Sequence, residues 1–97
     1  MITEITPEAL KERIARGEDL VLLDVRRPEE HAEKNIPGSI LITLDELEDR
    51  LDELEQYRNS EVIVYCRSGN RSGQACMFMD LTGFSNVVNL KGGMLAW

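Results

Sequence analysis

VIVYCRSGNRSGQA, residues 62–75, is the stretch on which the reading of this chain turns. Glu61 to Tyr65 form a short apolar run of the kind that becomes a buried parallel strand. Cys66 follows at its carboxyl end, and then six residues that are polar or glycine, Arg67 to Ser72. From Arg71 to Thr82 the pattern predicts a helix, with Gly83 as its stop. A thiol is thus placed between a strand end and a helix start.

That setting has chemical consequences. A free thiol ionises near pH ~8.5, and the thiolate is the nucleophile. Unpaired N–H groups at a helix N-terminus favour the anion, as do nearby guanidinium groups. Arg67 and Arg71 flank the thiol in sequence, and Gly69 allows the loop to curl so that successive N–H groups point inward. Free cysteines are often small buried hydrophobes, but the polar flanks of Cys66 argue for a nucleophile. Cys76 lies within ACMFM on the helix and reads as core packing; a resolving role would require the two sulfurs within disulfide reach. The chain has one histidine, His31, expected on a charged, exposed helix rather than beside the thiol. Activation of Cys66 is therefore expected without a general base.

Outward from this stretch the chain alternates strands and helices. Ile2 to Ile5 read as an edge strand, and Thr6-Pro7 open a helix that Gly17 stops. LVLLDVR, residues 20–26, reads as a buried strand ending in Asp24, Val25 and Arg26. Pro28 starts a short helix, IPGS (36–39) is a turn and ILI (40–42) a third strand. Thr43 and Glu46 form a capping-box pattern, followed by Leu44, Leu47, Leu51 and Leu54 at spacings that predict one helix packed on the sheet. NVVNL (86–90) is a fifth strand, and GGMLAW begins a last helix. The expectation is an α/β domain spanning 1–97, with a five-stranded parallel sheet and helices on both faces. Ligands of such sheets bind beyond the carboxyl ends of the strands, the rim that carries Asp24, Arg26 and Cys66.

Composition narrows the function classes. A net charge of −7 opposes non-specific nucleic-acid binding, which relies on Lys and Arg neutralising phosphates. No apolar run approaches the ~18 residues of a membrane span, and MITEITPEAL lacks the features of a secretory signal; a cytoplasmic chain is expected. Two cysteines and one histidine make neither a disulfide framework nor a zinc site, so no metal or other cofactor is expected.

Three stretches together resemble the rhodanese family. LLDVRRPEEHAEKNIPGSI is similar to its Asp-Val-Arg strand end and Ile-Pro-Gly turn, VIVYCRSGNRSGQA to its active-site loop, and GFSNVVNLKGGMLAW to its C-terminal signature. The resemblance implies a rhodanese-like fold and a sulfurtransferase. Cys66 would take a sulfane sulfur from a small anionic donor such as thiosulfate and pass the persulfide sulfur to cyanide, a thiol or a protein acceptor. Arg67, Ser68, Gly69, Asn70, Arg71 and Ser72 would form the cradle. Arg67 and Arg71 would attract the donor. Asp24 and Arg26 would be supports, Arg26 pairing with Glu29 or Glu30 and Asp24 accepting bonds from Ser72 or loop amides. The loop is Cys-x4-Arg, whereas phosphatase-like relatives use Cys-x5-Arg, so sulfur transfer is favoured over phosphoryl transfer. A persulfide relay to a partner protein is the second reading; a non-catalytic binding module is the third, against which the cysteine counts. Departures are His31, where many members carry an aromatic residue, and Asn35, where many carry histidine. The chain stops at Trp97, so a shortened last helix is expected.

One further feature concerns the helix after Cys66. Ala75, Cys76, Met77, Phe78, Met79 and Leu81 surround most of its circumference. Met77 and Leu81, four apart, share a stripe expected to face solvent, which reads either as scattered surface hydrophobes or as a weak dimer or partner contact.

Overall fold

The apolar runs become strands whose neighbours sit far away in sequence. The computed structural model describes residues 2–97. In chain order it has β1 (Thr3–Ile5), α1 (Pro7–Ala15), β2 (Val21–Asp24), α2 (Pro28–Glu33) and β3 (Ile40–Leu41). Two 3₁₀ segments follow, Leu44–Glu46 and Leu51–Tyr57, then β4 (Glu61–Tyr65), α3 (Asn70–Leu81), β5 (Asn86–Leu90) and α4 (Gly93–Ala96). The sheet order is β1-β5-β4-β2-β3, and every pairing is parallel.

Alternation along β4 divides the core. Val62 and Val64 point into one cluster with Leu23, Cys76, Met79 and Phe84, which α3 and the 3₁₀ segments cover. Ile63 and Tyr65 point into the other with Leu10 of α1, Leu90 and Met94 of α4. Both faces are therefore buried, which explains why the central strands read as continuous apolar runs rather than alternating ones. The expected five-stranded parallel α/β fold is present.

One expected element differs. The leucines at 44, 51 and 54 sit on two 3₁₀ segments, with Leu47 capping the first, and not on one α-helix. The reason lies in their spacing. Leu44 and Leu47 are three apart, as are Leu51 and Leu54, and in a 3₁₀ turn residues three apart eclipse on one side. Each pair so delivers a fully buried leucine, Leu47 or Leu54, to the core. The Thr43 hydroxyl does not cap the backbone; it donates to the Glu46 carboxylate at 3.1 Å.

Parallel register brings three strand ends to one rim. Asp24 of β2 stands opposite Tyr65 of β4, and Val64 of β4 opposite Asn89 of β5. Residues just beyond these positions converge above β4. Among the described residues, no helix is long and apolar enough to cross a membrane.

Candidate active site

Cys66 leaves β4 at the centre of the sheet and is fully buried. The loop then bends back over its own sulfur. Gly69, at φ +105°, adopts a left-handed conformation that a side chain would strain, and its N–H donates to Sγ at 3.1 Å. The Ser72 hydroxyl, on the first turn of α3, lies 3.3 Å from the same sulfur. Burial opposes charge on Cys66. The Ser72 hydroxyl and the amides of Ser72, Gly69 and Ser68 outweigh it, so the thiol ionises below its ordinary range. Burial pushes the Cys76 thiol the opposite way, up to about 12, and the charge of Cys66 adds to the effect. The structure thus separates the two cysteines, and Cys76 is packed in the core as the helix pattern implied.

The base of the loop is clamped from behind. Met94 N–H donates to Cys66 O and Leu95 N–H to Arg67 O, both at 2.9 Å. Gly93 permits this close approach, because a Cβ there would lie 2.5 Å from Cys66 O.

The charged supports pair differently from expectation. Arg26 does not reach Glu29 or Glu30. It folds onto Asp24, with Nε 3.0 Å from Oδ1 and Nη2 2.8 Å from Oδ2, and Nη2 also meets Lys34 O at 2.6 Å. Two residues apart on an extended chain just past β2, the side chains point to one side and shield each other from the apolar core. Asp24 is fully buried and takes no bond from Ser72; it accepts from Arg26 and is bonded to His31 Nδ1 at 2.8 Å. Burial works against its charge, and these bonds hold its carboxyl below the usual range. His31 is therefore half-buried on Asp24. Asn35 donates to His31 O at 2.9 Å, so both family departures fall in this support and not in the loop.

Glu30 belongs to Arg71. Its two carboxylate oxygens accept from Nη1 at 2.8 Å and Nη2 at 3.0 Å. Bonding to Arg71 holds the Glu30 carboxyl down at about 2. One of the two guanidinium groups expected to attract the donor is thus largely neutralised by a carboxylate of α2. Arg67, Ser68 and Asn70 are exposed. A cleft of about 420 Å³ opens beside the loop, lined in part by Arg27, Glu29, Thr43, Asp45, Arg67 and Arg71.

Asn89 was invisible to motif reading. It is 7% exposed at the carboxyl end of β5. Its Oδ1 lies 2.6 Å from Ser72 Oγ, and its Nδ2 donates to Gly69 O at 3.2 Å. It anchors the two loop residues that hold the sulfur. Its one sequence signal was a polar residue inside an otherwise apolar buried strand.

Comparison with known proteins places this geometry. The rhodanese-like domain model matches residues 6–97. A sulfurtransferase of Allochromatium vinosum is 40% identical over 97 residues, covering 100% of this chain and 89% of that protein. Among solved structures, a rhodanese-like domain protein from Staphylococcus aureus superposes with a TM-score of 0.91 at 31% identity, covering 99% of this chain and 91% of the other. The human single-domain sulfurtransferase TSTD1 gives 0.82 at 26% identity, covering 100% and 96%. A parallel sheet in this order, a cysteine loop closed over its own sulfur and a match along nearly the whole chain agree: the chain belongs to the rhodanese-like domain family and stands among its single-domain sulfurtransferase homologues.

Proposed function

We propose that the chain moves a sulfane sulfur from a small anionic donor, thiosulfate or a related compound, to a thiophilic acceptor through a persulfide on Cys66. The Cys66 thiolate attacks the outer sulfur of the donor. The donor S–S bond breaks, sulfite leaves with the electron pair, and the terminal sulfur of the persulfide carries the charge. Cyanide or a thiolate then attacks that terminal sulfur, the Cys66 S–S bond breaks, and the thiolate returns.

The observation that carries this reading is the convergence of the Gly69 N–H and the Ser72 hydroxyl on Sγ, in a Cys-x4-Arg loop one residue shorter than the pattern of phosphatase-like relatives. Donors already in place where charge develops are the main resource of such a reaction. Cys66 has no exposed surface, so a donor reaches it by parting the exposed residues Arg67, Ser68 and Asn70. Arg67, which has no carboxylate partner among the described residues, fits the role of guiding the anion. Asp24 and Arg26 support the strand end behind it.

Mass spectrometry after thiosulfate treatment is the test. One sulfur atom is added to the wild type and none to Cys66→Ser. Turnover of an aryl phosphate, or an unmodified wild type with every donor tried, would sink the proposal.

A relay to a protein acceptor has its own support. Met77 and Leu81 on α3 are 58% and 82% exposed, an apolar stripe on the helix that carries Ser72. If it receives a partner or second copy, Met77→Lys with Leu81→Lys abolishes that association and leaves persulfide formation intact.

A further inference from the structure

The Ser72 hydroxyl has a single proton and two acceptors. Asn89 Oδ1 is 2.6 Å away and Cys66 Sγ 3.3 Å away. The amide of Asn89 cannot turn to offer its nitrogen instead, because Nδ2 is engaged with Gly69 O. All three side chains are buried, so a hydrogen bond lost among them is costly.

Two states follow. With a neutral thiol, the short bond to Asn89 takes the Ser72 proton, and the hydroxyl lone pairs face the sulfur. With a thiolate, the charged sulfur is the stronger acceptor. The proton then turns to Sγ and leaves Asn89 Oδ1 without a donor; alternatively it stays, and the lone pairs face a negative charge. Either way Asn89 makes charge on Sγ less favourable than the Ser72 hydroxyl alone would.

We infer that Asn89 is a positioning residue for chemistry at Cys66: it competes with the sulfur for the one Ser72 proton, which follows the negative charge on and off Sγ. The consequence for catalysis rests on the proposed persulfide cycle. When charge passes to the outer sulfur, Sγ becomes neutral and the proton returns to Asn89, which favours persulfide formation. When the acceptor expels Sγ, the proton swings back to the departing thiolate. A nucleophile held slightly less comfortably also attacks better, since nucleophilicity falls with pKa.

Other groups around the sulfur must be held apart from this effect. Arg71 and Cys76 of α3 sense its charge. Arg67 adjoins it in the loop, Glu30 of α2 neutralises Arg71, and Asp24, Arg26 and His31 lie behind that pair. None bonds to Ser72 or Asn89. A double-mutant cycle on these two residues therefore isolates the shared proton.

The experiment follows thiolate absorbance in the ultraviolet against pH, which needs neither donor nor turnover, so its failure is separable from failure of the sulfurtransferase reading. Asn89→Ala and Asn89→Val each raise the ionisation constant of Cys66 about threefold to tenfold, the net size of one ordinary hydrogen bond. In a Ser72→Ala background the same substitutions give no change. An equal shift in both backgrounds overturns the inference, because the tether to Gly69 would then explain everything, and so does the absence of a shift in either. Ser72→Ala alone provides an arm that leaves Asn89 untouched. It slows sulfur release to cyanide more than persulfide formation; equal slowing of the two steps overturns the inference as well.

Discussion

Glu30 grips Arg71 with both carboxylate oxygens, at 2.8 and 3.0 Å, across 41 residues of sequence. This ion pair bolts α2 to the first turn of α3 and so closes one side of the cysteine loop. It also leaves amides and a hydroxyl, rather than Arg71, to hold the sulfur.

Breaking that pair has a calculable pH signature. The Glu30 carboxyl sits at about 2, below its unfolded value. A depressed carboxyl contributes stability that is complete above the unfolded pKa of ~4.3 and disappears as pH falls through the folded value. Glu30→Gln is expected to cost about 1 kcal/mol at pH 7, in keeping with a partly exposed bidentate pair. Urea denaturation of both proteins at pH 7 and near pH 2 checks this: the gap closes at the acid end. A gap independent of pH contradicts it.

Cys66 is expected to alkylate with a midpoint below the ~8.5 of a free thiol. Burial raises that midpoint, while the Ser72 hydroxyl and three amides lower it further than burial raises it. Because the folded pKa lies below the unfolded one, the associated stability is fully present above ~8.5 and is lost as pH falls through the folded value. Ser72→Ala moves the alkylation midpoint upward. Peptide mapping of iodoacetamide adducts at each pH distinguishes Cys66 from Cys76.

Arg27 and Arg67 are the two arginines without a carboxylate partner among the described residues, and both line the cleft beside the loop. In a chain of net charge −7 they put unpaired positive charge on the wall of that cleft. Arg67→Gln is expected to raise KM for thiosulfate about fivefold with kcat nearly unchanged, and Arg27→Gln to act in the same direction more weakly, since both supply attraction screened by salt. Steady-state kinetics at low and high ionic strength test it. A loss confined to kcat, or one that ignores salt, counts against the assignment.

Gly93→Ala brings a Cβ within 2.5 Å of Cys66 O and 2.6 Å of Arg67 O, at a φ of +57°. Neither the backbone of the loop nor that of α4 can yield without losing the bonds between them. A destabilisation of about 2–4 kcal/mol is expected from strain and displaced packing together, with sulfur transfer reduced at least tenfold in the protein that remains folded. Thermal unfolding and single-turnover rates measure the two effects separately.

Arg26→Ala leaves Asp24 charged, fully buried and short of its main partner. Removing one member of such a pair typically costs about 3–5 kcal/mol. Arg26→Ala combined with Asp24→Asn is expected to recover part of that loss, and chemical denaturation of the single and double variants shows whether it does.

Much of this was readable along the chain because it is local. β2, β4 and β5 announced themselves as short apolar runs, since each is buried on two faces. The Cys66 loop lies in one contiguous stretch, so its polar residues, its glycine and the helix after it were all in view. The paired leucines of 44–54 misled, because spacings of three and four read alike as one helix until the chain commits to 3₁₀ turns. Arg26 reads from sequence as a partner of Glu29 or Glu30, because sequence shows which charges are near and not which way extended side chains point.

The sequence by itself determined the parallel α/β architecture, the thiol at a strand end and the polar loop that follows, because these depend on periodicity and neighbours within a few residues. Tertiary structure alone decided who holds that loop. Asn89 reaches Gly69 across 20 residues and Glu30 reaches Arg71 across 41. Those partners meet because parallel register sets the carboxyl ends of β2, β4 and β5 side by side, a juxtaposition that exists only once the sheet has formed.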